Sequence, residues 1–184
     1  MHSAQLAVPV NERDHFLGPA SAPVTLVEYG DYECPHCGRA HPIVQGIRRY
    51  LGDTLRLVYR HFPLAEAHPH AQHAAEGAEA AAGQGHFWEM HDMLFANQDA
   101  LEDEDILTYL AKVGADIKRA ADELAAGAYT KKVRDDFRGG VRSGVNGTPT
   151  FYINGNRYDG NWADTTEFIQ ALQAAALQEH AGAS

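Results

Sequence analysis

The two cysteines of the chain lie in one tetrapeptide, Cys34-Pro35-His36-Cys37. Because the chain has only these 2 cysteines, they cannot link distant parts of the fold, and a disulfide scaffold is excluded. The tetrapeptide is instead a redox-active pair, half of a metal site, or a chance pairing. A zinc site would need two further ligands, which would have to be His or carboxylate side chains.

The elements around this tetrapeptide favour the redox pair. Residues 24–29, VTLVEY, are rich in β-branched and apolar types and contain no Pro or Gly, which predicts a buried strand. Residues 38–51 predict a helix whose apolar stripe includes Val44 and Ile47. The cysteines therefore fall where a strand turns into a helix, with Pro35 in the first turn, where its missing N–H does no harm.

The start of the helix gives the two sulfurs different roles. Unpaired N–H groups and the positive end of the helix dipole stabilise a thiolate at Cys34, which is therefore the predicted nucleophile. Cys37, one turn further in, is predicted to resolve the mixed disulfide that Cys34 forms with a substrate. A protonated His36 would stabilise the thiolate further and make the disulfide more oxidising. Asp31 and Glu33 would oppose this if their carboxylates point at the sulfur, a direction that the sequence leaves open.

These residues resemble the start of a DsbA-type thioredoxin-fold protein, a bacterial thiol–disulfide oxidoreductase, over the stretch from Asp14 to Leu64. Further along, VNGTPTF at 145–151 is similar to the cis-proline loop of that family, and Pro42 stands where its first active-site helix is commonly kinked. The similarity continues through 152–155 and the final helix and includes FWEMHD at 87–92, so it covers nearly the whole chain.

The resemblance implies further roles, residue by residue. Cys34 matches the attacking cysteine of the family and Cys37 the resolving one. Pro149 matches the cis-proline that faces the disulfide and helps to hold an extended substrate peptide, with Thr148 just before it. A Thr-Pro bond that precedes a strand is also a plausible cis turn on its own terms.

Glu28 is the remaining residue that the resemblance singles out. It lies six residues before Cys34, inside an otherwise apolar strand, where the family places a buried acidic group. A carboxylate buried near the disulfide would have a raised pKa and could move a proton to or from Cys37. The alternative is a Glu28 that faces solvent at the end of the strand.

The order of the remaining elements predicts the fold class. Residues 55–62 alternate apolar and polar side chains, which predicts a second strand. An Ala-rich stretch then predicts five helices, at 71–82, 86–97, 103–113, 116–126 and 129–142. Strand signals resume at 150–153, followed by a hairpin at 154–156, a short strand at 157–158 and a last helix from about 164 to 180.

This order predicts an α/β thioredoxin fold, with a helical insertion subdomain between the second strand and the cis-proline strand. We place the thioredoxin-like core at residues 14–64 and 143–181, the insertion at 65–142, and an N-terminal extension at 1–13. A chain of 184 residues, 45% of them hydrophobic, is long enough to bury a proper core.

The charge balance bounds the partners. With 15 Lys and Arg against 25 Asp and Glu, the formal net charge is −10, which disfavours nucleic acid and anionic lipid as partners.

No apolar run approaches the length of a membrane span, which is about 20 residues, so no membrane insertion is predicted. Between His61 and Lys112 the chain has Asp and Glu but no Lys or Arg, which we interpret as a solvated helical surface, with a face for basic partners as the alternative. His68, His70 and His73 in this segment are predicted to be surface or interdomain histidines rather than metal ligands.

The compartment follows from the N-terminus as given. MHSAQLAVPVNERDHF lacks a basic segment followed by an apolar one, so no signal peptide is predicted. The protein is then cytoplasmic, or periplasmic or otherwise extracytoplasmic if the chain has been trimmed.

The sequence therefore predicts a protein disulfide oxidoreductase that exchanges a Cys34–Cys37 disulfide with protein, peptide or small-molecule thiols, as an oxidase or isomerase. Neither a metal nor a cofactor beyond the disulfide is predicted, and the redox partner is left unassigned. One alternative is a cytoplasmic reductase or redox-regulatory binding module, since similar sequences occur as soluble domains fused to NhaA-type antiporters. A less favoured alternative is a Cys/His metal-binding protein.

Overall fold

The computed structural model describes residues 4–182, so the first three residues of the predicted N-terminal extension lie outside the described part of the chain. The elements, in chain order, are β1 (His15–Leu17), β2 (Val24–Gly30), α1 (Pro35–Leu51), β3 (Leu55–His61), α2 (Ala71–Ala82), α3 (Phe87–Ala96), α4 (Asp103–Lys112), α5 (Ile117–Ala125), α6 (Thr130–Ser143), β4 (Thr150–Ile153), β5 (Asn156–Tyr158) and α7 (Thr165–Gly182). Over these residues, no helix combines the length and apolar character that crossing a membrane would require.

The five strands form one sheet in the order β1-β3-β2-β4-β5. β1 runs antiparallel to β3, and β4 runs antiparallel to both β2 and β5. In β2 every residue except the half-buried Thr25 is buried. A central strand that is covered on both faces needs apolar side chains at successive positions, which is why VTLVEY predicted a buried strand correctly.

The hairpin between β4 and β5 turns on Asn154 and Gly155. Both residues have positive φ, 46° and 81°, as a two-residue type I′ turn requires, and Asn-Gly is the sequence that favours this turn. Ile153 then pairs with Asn156 across the turn. The predicted hairpin is confirmed, with β5 beginning one residue earlier than expected.

The short edge strand β1 was not predicted. It comprises only His15–Leu17, and Phe16 at its centre is 42% exposed. Three residues are too few to show an alternating pattern. The strand is defined by its pairing with β3, where Phe16 lies opposite Val58.

The chain divides into two compact units. The first comprises the residues up to Tyr29, Arg39–Arg60 and the residues from Gly139 onward, and it contains most of the sheet with α7. The second comprises Gly30–Gly38 and His61–Arg138. The cysteine tetrapeptide thus groups with the helices, whereas the sequence placed it in the predicted core.

The core of the first unit is formed by aromatic and aliphatic side chains. Phe168 of α7 packs on Phe151 of β4 and on Tyr158 of β5, with ring centroids 5.0 and 4.8 Å apart. Val44 and Ile47 are buried, which confirms the apolar stripe predicted for α1.

Arg60 in β3 is buried, although it is one of the polar positions of the alternating pattern in this strand. Its guanidinium group donates two hydrogen bonds to the carboxylate of Asp14, each of 2.8 Å, and donates to the hydroxyl of Tyr29 at 3.1 Å. It also donates to the main-chain carbonyls of Val8 and Pro9 at 2.7 and 3.1 Å. The charge is therefore fully paired, and it ties the N-terminal segment to the central sheet.

The helical unit owes its Ala-rich composition to close packing. In α2 the side chains of Ala71, Ala74 and Ala78 are essentially fully buried. A Cβ added to Gly77 would lie 2.6 Å from Cγ2 of Ile106 in α4, closer than real Cβ contacts allow. Small residues are therefore required where these two helices meet.

Candidate active site

Cys34 lies at the N-terminus of α1, directly before the first helical residue, Pro35. Its carbonyl oxygen accepts a hydrogen bond of 3.0 Å from the N–H of Gly38, which is the first turn of the helix. The helix thus begins three residues before the start predicted at Gly38. Cys34 is 3% exposed and Cys37 is fully buried. Cys34 therefore lies at the N-terminal end of α1. Stabilisation of its thiolate by the helix dipole stays a prediction.

The two residues between the cysteines are exposed. Pro35 occupies the first helical position, where a residue without an N–H is favoured. His36 lies between the two cysteines in the sequence and is exposed. Its stabilising effect on a Cys34 thiolate stays a prediction.

Asp31, three residues before Cys34, is held by hydrogen bonds on both carboxylate oxygens. Oδ2 lies 2.8 Å from Nδ1 of His68 and accepts the N–H of Leu64 at 2.9 Å. Oδ1 accepts the N–H of Glu33 at 2.8 Å. The Asp31 side chain is fully buried, and that of His68 is 19% exposed. The carboxylate that the sequence could not orient is therefore directed at a histidine.

Glu33, the residue before Cys34, is paired in the same way. Its Oε1 lies 2.9 Å from Nδ1 of His70, and its Oε2 accepts the N–H of His70 at 2.7 Å. The hydrogen bond to Glu33, followed by the charges of Glu33, Glu102 and Asp103, raises the pKa of His70. His73 likewise contacts a carboxylate, that of Asp103.

Gln98, in the connection between α3 and α4, is a site residue that the sequence did not reveal. Its Nε2 donates to the carbonyl oxygens of Tyr32 and Cys34, both at 2.9 Å. A Cβ added to Gly38 would lie 1.9 Å from Oε1 of Gln98, so this amide lies directly against the first turn of α1. Gln98 therefore holds the segment that carries Cys34. No motif marks it, because the contact joins residues more than sixty positions apart.

Glu28 lies in the first unit, on β2, where it pairs with Phe151 of β4. It is 3% exposed, so it is buried as the resemblance implied and does not face solvent. Its Oε1 has no hydrogen-bond partner among the described residues. Burial raises the pKa of Glu28 to about 8, so the carboxyl group is mostly protonated at neutral pH.

The Thr148–Pro149 peptide bond is cis, as the resemblance implied. Thr148 and Pro149 are half-buried. On the far side of the bond, the Thr150 hydroxyl donates to the carbonyl oxygen of Gly147 at 2.7 Å. Thr150 pairs with Tyr29, so this loop leads directly into the strand that lies beside Glu28.

The predicted site residues thus fall into two groups. Cys34, Cys37, Pro35 and His36 lie in the second unit, together with the paired acids and histidines. Glu28, Thr148 and Pro149 lie in the first unit, on neighbouring strands β2 and β4.

The sheet, the helix that starts at a Cys-X-X-Cys pair and the cis-proline before β4 together define a thioredoxin-fold oxidoreductase. The sequence profile of the thioredoxin family matches residues 10–172. The chain therefore belongs to the thioredoxin family.

Two solved structures illustrate the likeness. A thioredoxin-like oxidoreductase from Silicibacter pomeroyi is 28% identical with a TM-score of 0.79, and the match covers 90% of this chain and 93% of that one. Oxidised BdbD from Bacillus subtilis is 23% identical with a TM-score of 0.81, and the match covers 95% and 97% of the two chains. The second likeness shows the shared fold.

The curated relatives are longer proteins. Na(+)/H(+) antiporter NhaA 1 of Salinispora arenicola is 47% identical over 180 residues, which are 96% of this chain but only 26% of the antiporter. The chain thus spans about a quarter of the length of the curated relatives that it matches.

Proposed function

We propose that the protein donates a Cys34–Cys37 disulfide to cysteine-containing proteins or peptides, as an oxidase or isomerase. The observation that carries this proposal is the position of Cys34 at the N-terminus of α1, with the fully buried Cys37 one turn behind it. A stabilised Cys34 thiolate is a good leaving group, and this favours transfer of the disulfide to a substrate.

In the oxidising direction, a substrate thiolate attacks the Cys34 sulfur and the Cys34–Cys37 bond breaks. Cys37 leaves as a thiolate and takes up a proton. A second substrate thiolate then attacks the substrate sulfur of the mixed disulfide, and Cys34 leaves as a thiolate. Two electrons pass from the substrate dithiol to the protein, so the reaction needs no cofactor besides the disulfide. In the reverse direction Cys34 attacks and Cys37 resolves.

The residues of the first unit have proposed roles in this cycle. Protonated Glu28 is the proposed donor of the proton that Cys37 takes up, supported by its burial and raised pKa. Thr148 and Pro149 are the proposed contacts for an extended substrate segment, supported by the family resemblance of the loop that contains them.

The proposal is tested by the reduction potential of the Cys34–Cys37 pair, measured by equilibration in glutathione buffers and quantification of the alkylated thiols. We expect a potential at or above the glutathione poise of roughly −220 to −260 mV. A potential below about −300 mV, typical of structural disulfides, would contradict disulfide donation. The direction in the cell also depends on the compartment, because a reducing cytoplasm would keep the same cysteine pair reduced.

A second candidate function is favoured by the curated relatives, in which the matching region is a small part of an antiporter. In this alternative the chain is a binding module whose cysteines are dispensable. Cys34→Ser would then leave the binding of its partner unchanged, whereas a disulfide donor loses its covalent link to substrate.

Replacing Glu28 by Gln is expected to slow thiol–disulfide exchange by about a hundred-fold, the lower end of what general acid–base catalysis contributes. The effect should be greatest below pH 8, where Glu28 holds its proton, and should fade above pH 8, where the wild-type carboxyl group has lost it. The measurement is stopped-flow oxidation of a dithiol peptide from pH 5 to pH 9, with the exposed Glu12 replaced by Gln as the matched control. Identical pH–rate profiles for Glu28→Gln and wild type would remove Glu28 from the mechanism.

Glu28→Gln is also expected to change how the stability of the fold depends on pH. Because the pKa of Glu28 is raised from 4.5 to about 8 on folding, the folded state binds the extra proton between these values. Glu28 therefore lowers the stability progressively as pH rises through this window. Glu28→Gln should remove that loss, which urea unfolding at several pH values would detect.

A further inference from the structure

The acids that flank the nucleophile and the histidines of the His68-Pro69-His70 tripeptide form two matched pairs. Asp31 contacts His68 and Glu33 contacts His70, at 2.8 and 2.9 Å. The proposed cycle uses none of these four side chains. The two pairs nevertheless include both acidic residues, Asp31 and Glu33, that lie just before Cys34 in the sequence.

Burial makes the first pair the stronger one. The Asp31 side chain is fully buried and that of His68 is 19% exposed, whereas the His70 and Glu33 side chains are 42% and 19% exposed. A charge pair that is shielded from water interacts more strongly than one at the surface. Asp31 is also fixed by the N–H groups of Glu33 and Leu64, so its carboxylate cannot turn toward solvent.

An unpaired carboxylate at Asp31 would oppose formation of a thiolate at Cys34, since like charges in one site disfavour each other. A protonated His68 cancels that charge. Burial alone would lower the pKa of His68, but the hydrogen bond that His68 donates to Asp31 and the charges of Asp31, Cys34 and Glu33 raise it overall. The coupling is reciprocal: if the Cys34 thiolate favours protonated His68, then protonated His68 favours the thiolate.

We propose that His68 is a positioning residue for the chemistry of Cys34, acting through Asp31 to keep the nucleophile ionised in the acidic-to-neutral range. The inference rests on the proposed function, because it assigns a role in the reactivity of the same cysteine. His68 contacts Asp31, the charges of Glu33 and Cys34 also act on it, and its own segment contributes His70. As the pH rises through the raised pKa of His68, the imidazole loses its positive charge and no longer favours the Cys34 thiolate. At higher pH the Cys34 thiol loses its proton to solvent without this help.

The test is the rate of alkylation of Cys34 in the reduced full chain, followed by mass spectrometry from pH 5 to pH 9. His68→Gln is expected to slow alkylation roughly three- to ten-fold at pH 5 to 6, and the difference should vanish near pH 9, where Cys34 is ionised in both proteins. His68→Lys keeps a positive charge and should restore the wild-type rate. His73→Gln is the matched control, because it removes a histidine–carboxylate pair of the same segment at Asp103.

The double variant Asp31→Asn with His68→Gln separates charge from structure. If His68 acts by neutralising Asp31, removing both charges returns the alkylation rate toward wild type. A double variant as slow as His68→Gln, or a His68→Gln profile that matches wild type, would overturn the inference.

Alkylation requires no protein substrate. A chain that fails to oxidise a dithiol peptide but keeps this alkylation pattern would therefore refute the proposed function alone.

Discussion

Replacing Cys34 by Ser is expected to abolish thiol–disulfide exchange, with a loss of about 10³-fold or more in rate, as for removal of other catalytic nucleophiles. The physical reason is the placement of the sulfur. Cys34 precedes the first residue of α1, where we expect the helix dipole to stabilise its thiolate. The chain has no third cysteine that could substitute for it. The rate is measured by oxidation of a dithiol peptide and, in reverse, by reduction of a model disulfide.

Cys37→Ser is the informative partner of this variant. With Cys34 intact, the reduced chain should still attack a disulfide, but the mixed disulfide cannot be resolved and should accumulate as a covalent adduct visible on a non-reducing gel. Cys34→Ser should form no such adduct. The reverse pattern, an adduct through Cys37 alone, would contradict the assignment of Cys34 as nucleophile, and so would full exchange activity in Cys34→Ser.

The second large effect is expected at Arg60, on stability rather than on activity. Arg60→Ala should lower the free energy of unfolding by about 3–5 kcal/mol, because it leaves the carboxylate of Asp14 buried without its ion pair. The side chains of Arg60 and Asp14 are 3% and 4% exposed, so water cannot replace the lost partner without opening the structure. Two main-chain carbonyls, of Val8 and Pro9, lose their donors as well. Urea unfolding followed by circular dichroism gives this quantity.

Two further variants sharpen the Arg60 result. The double variant Arg60→Ala with Asp14→Ala should be less destabilised than the sum of the single ones, since it removes both charges of the pair. Arg49→Ala, at an exposed position near the end of α1, should change stability by less than about 0.5 kcal/mol. An Arg60→Ala variant as stable as Arg49→Ala would show that the ion pair contributes nothing.

The secondary structure was largely predictable because each element satisfies its own local rule. The buried strand β2 follows from a run of β-branched and apolar side chains, and the hairpin at Asn154–Gly155 follows from the one dipeptide that best tolerates two positive φ angles. All five helices of the insertion were predicted to within two residues at each end. The exception was β1, which is too short to carry a pattern. The burial of Arg60 was not predictable from the sequence, because it depends on a partner 46 residues away.

Local sequence was enough to predict the redox chemistry, from a Cys-X-X-Cys pair at the junction of a strand and a helix and a cis-proline loop implied by the family resemblance. Spacing within four residues decides which sulfur lies at the helix start, so no tertiary information is needed. The charges and hydrogen bonds around that pair, in contrast, follow from the fold. Asp31 and His68 are 37 residues apart, as are Glu33 and His70, and Gln98 reaches the carbonyl of Cys34 across 64. Charge–charge energies depend on distance and burial, and chain folding alone sets both.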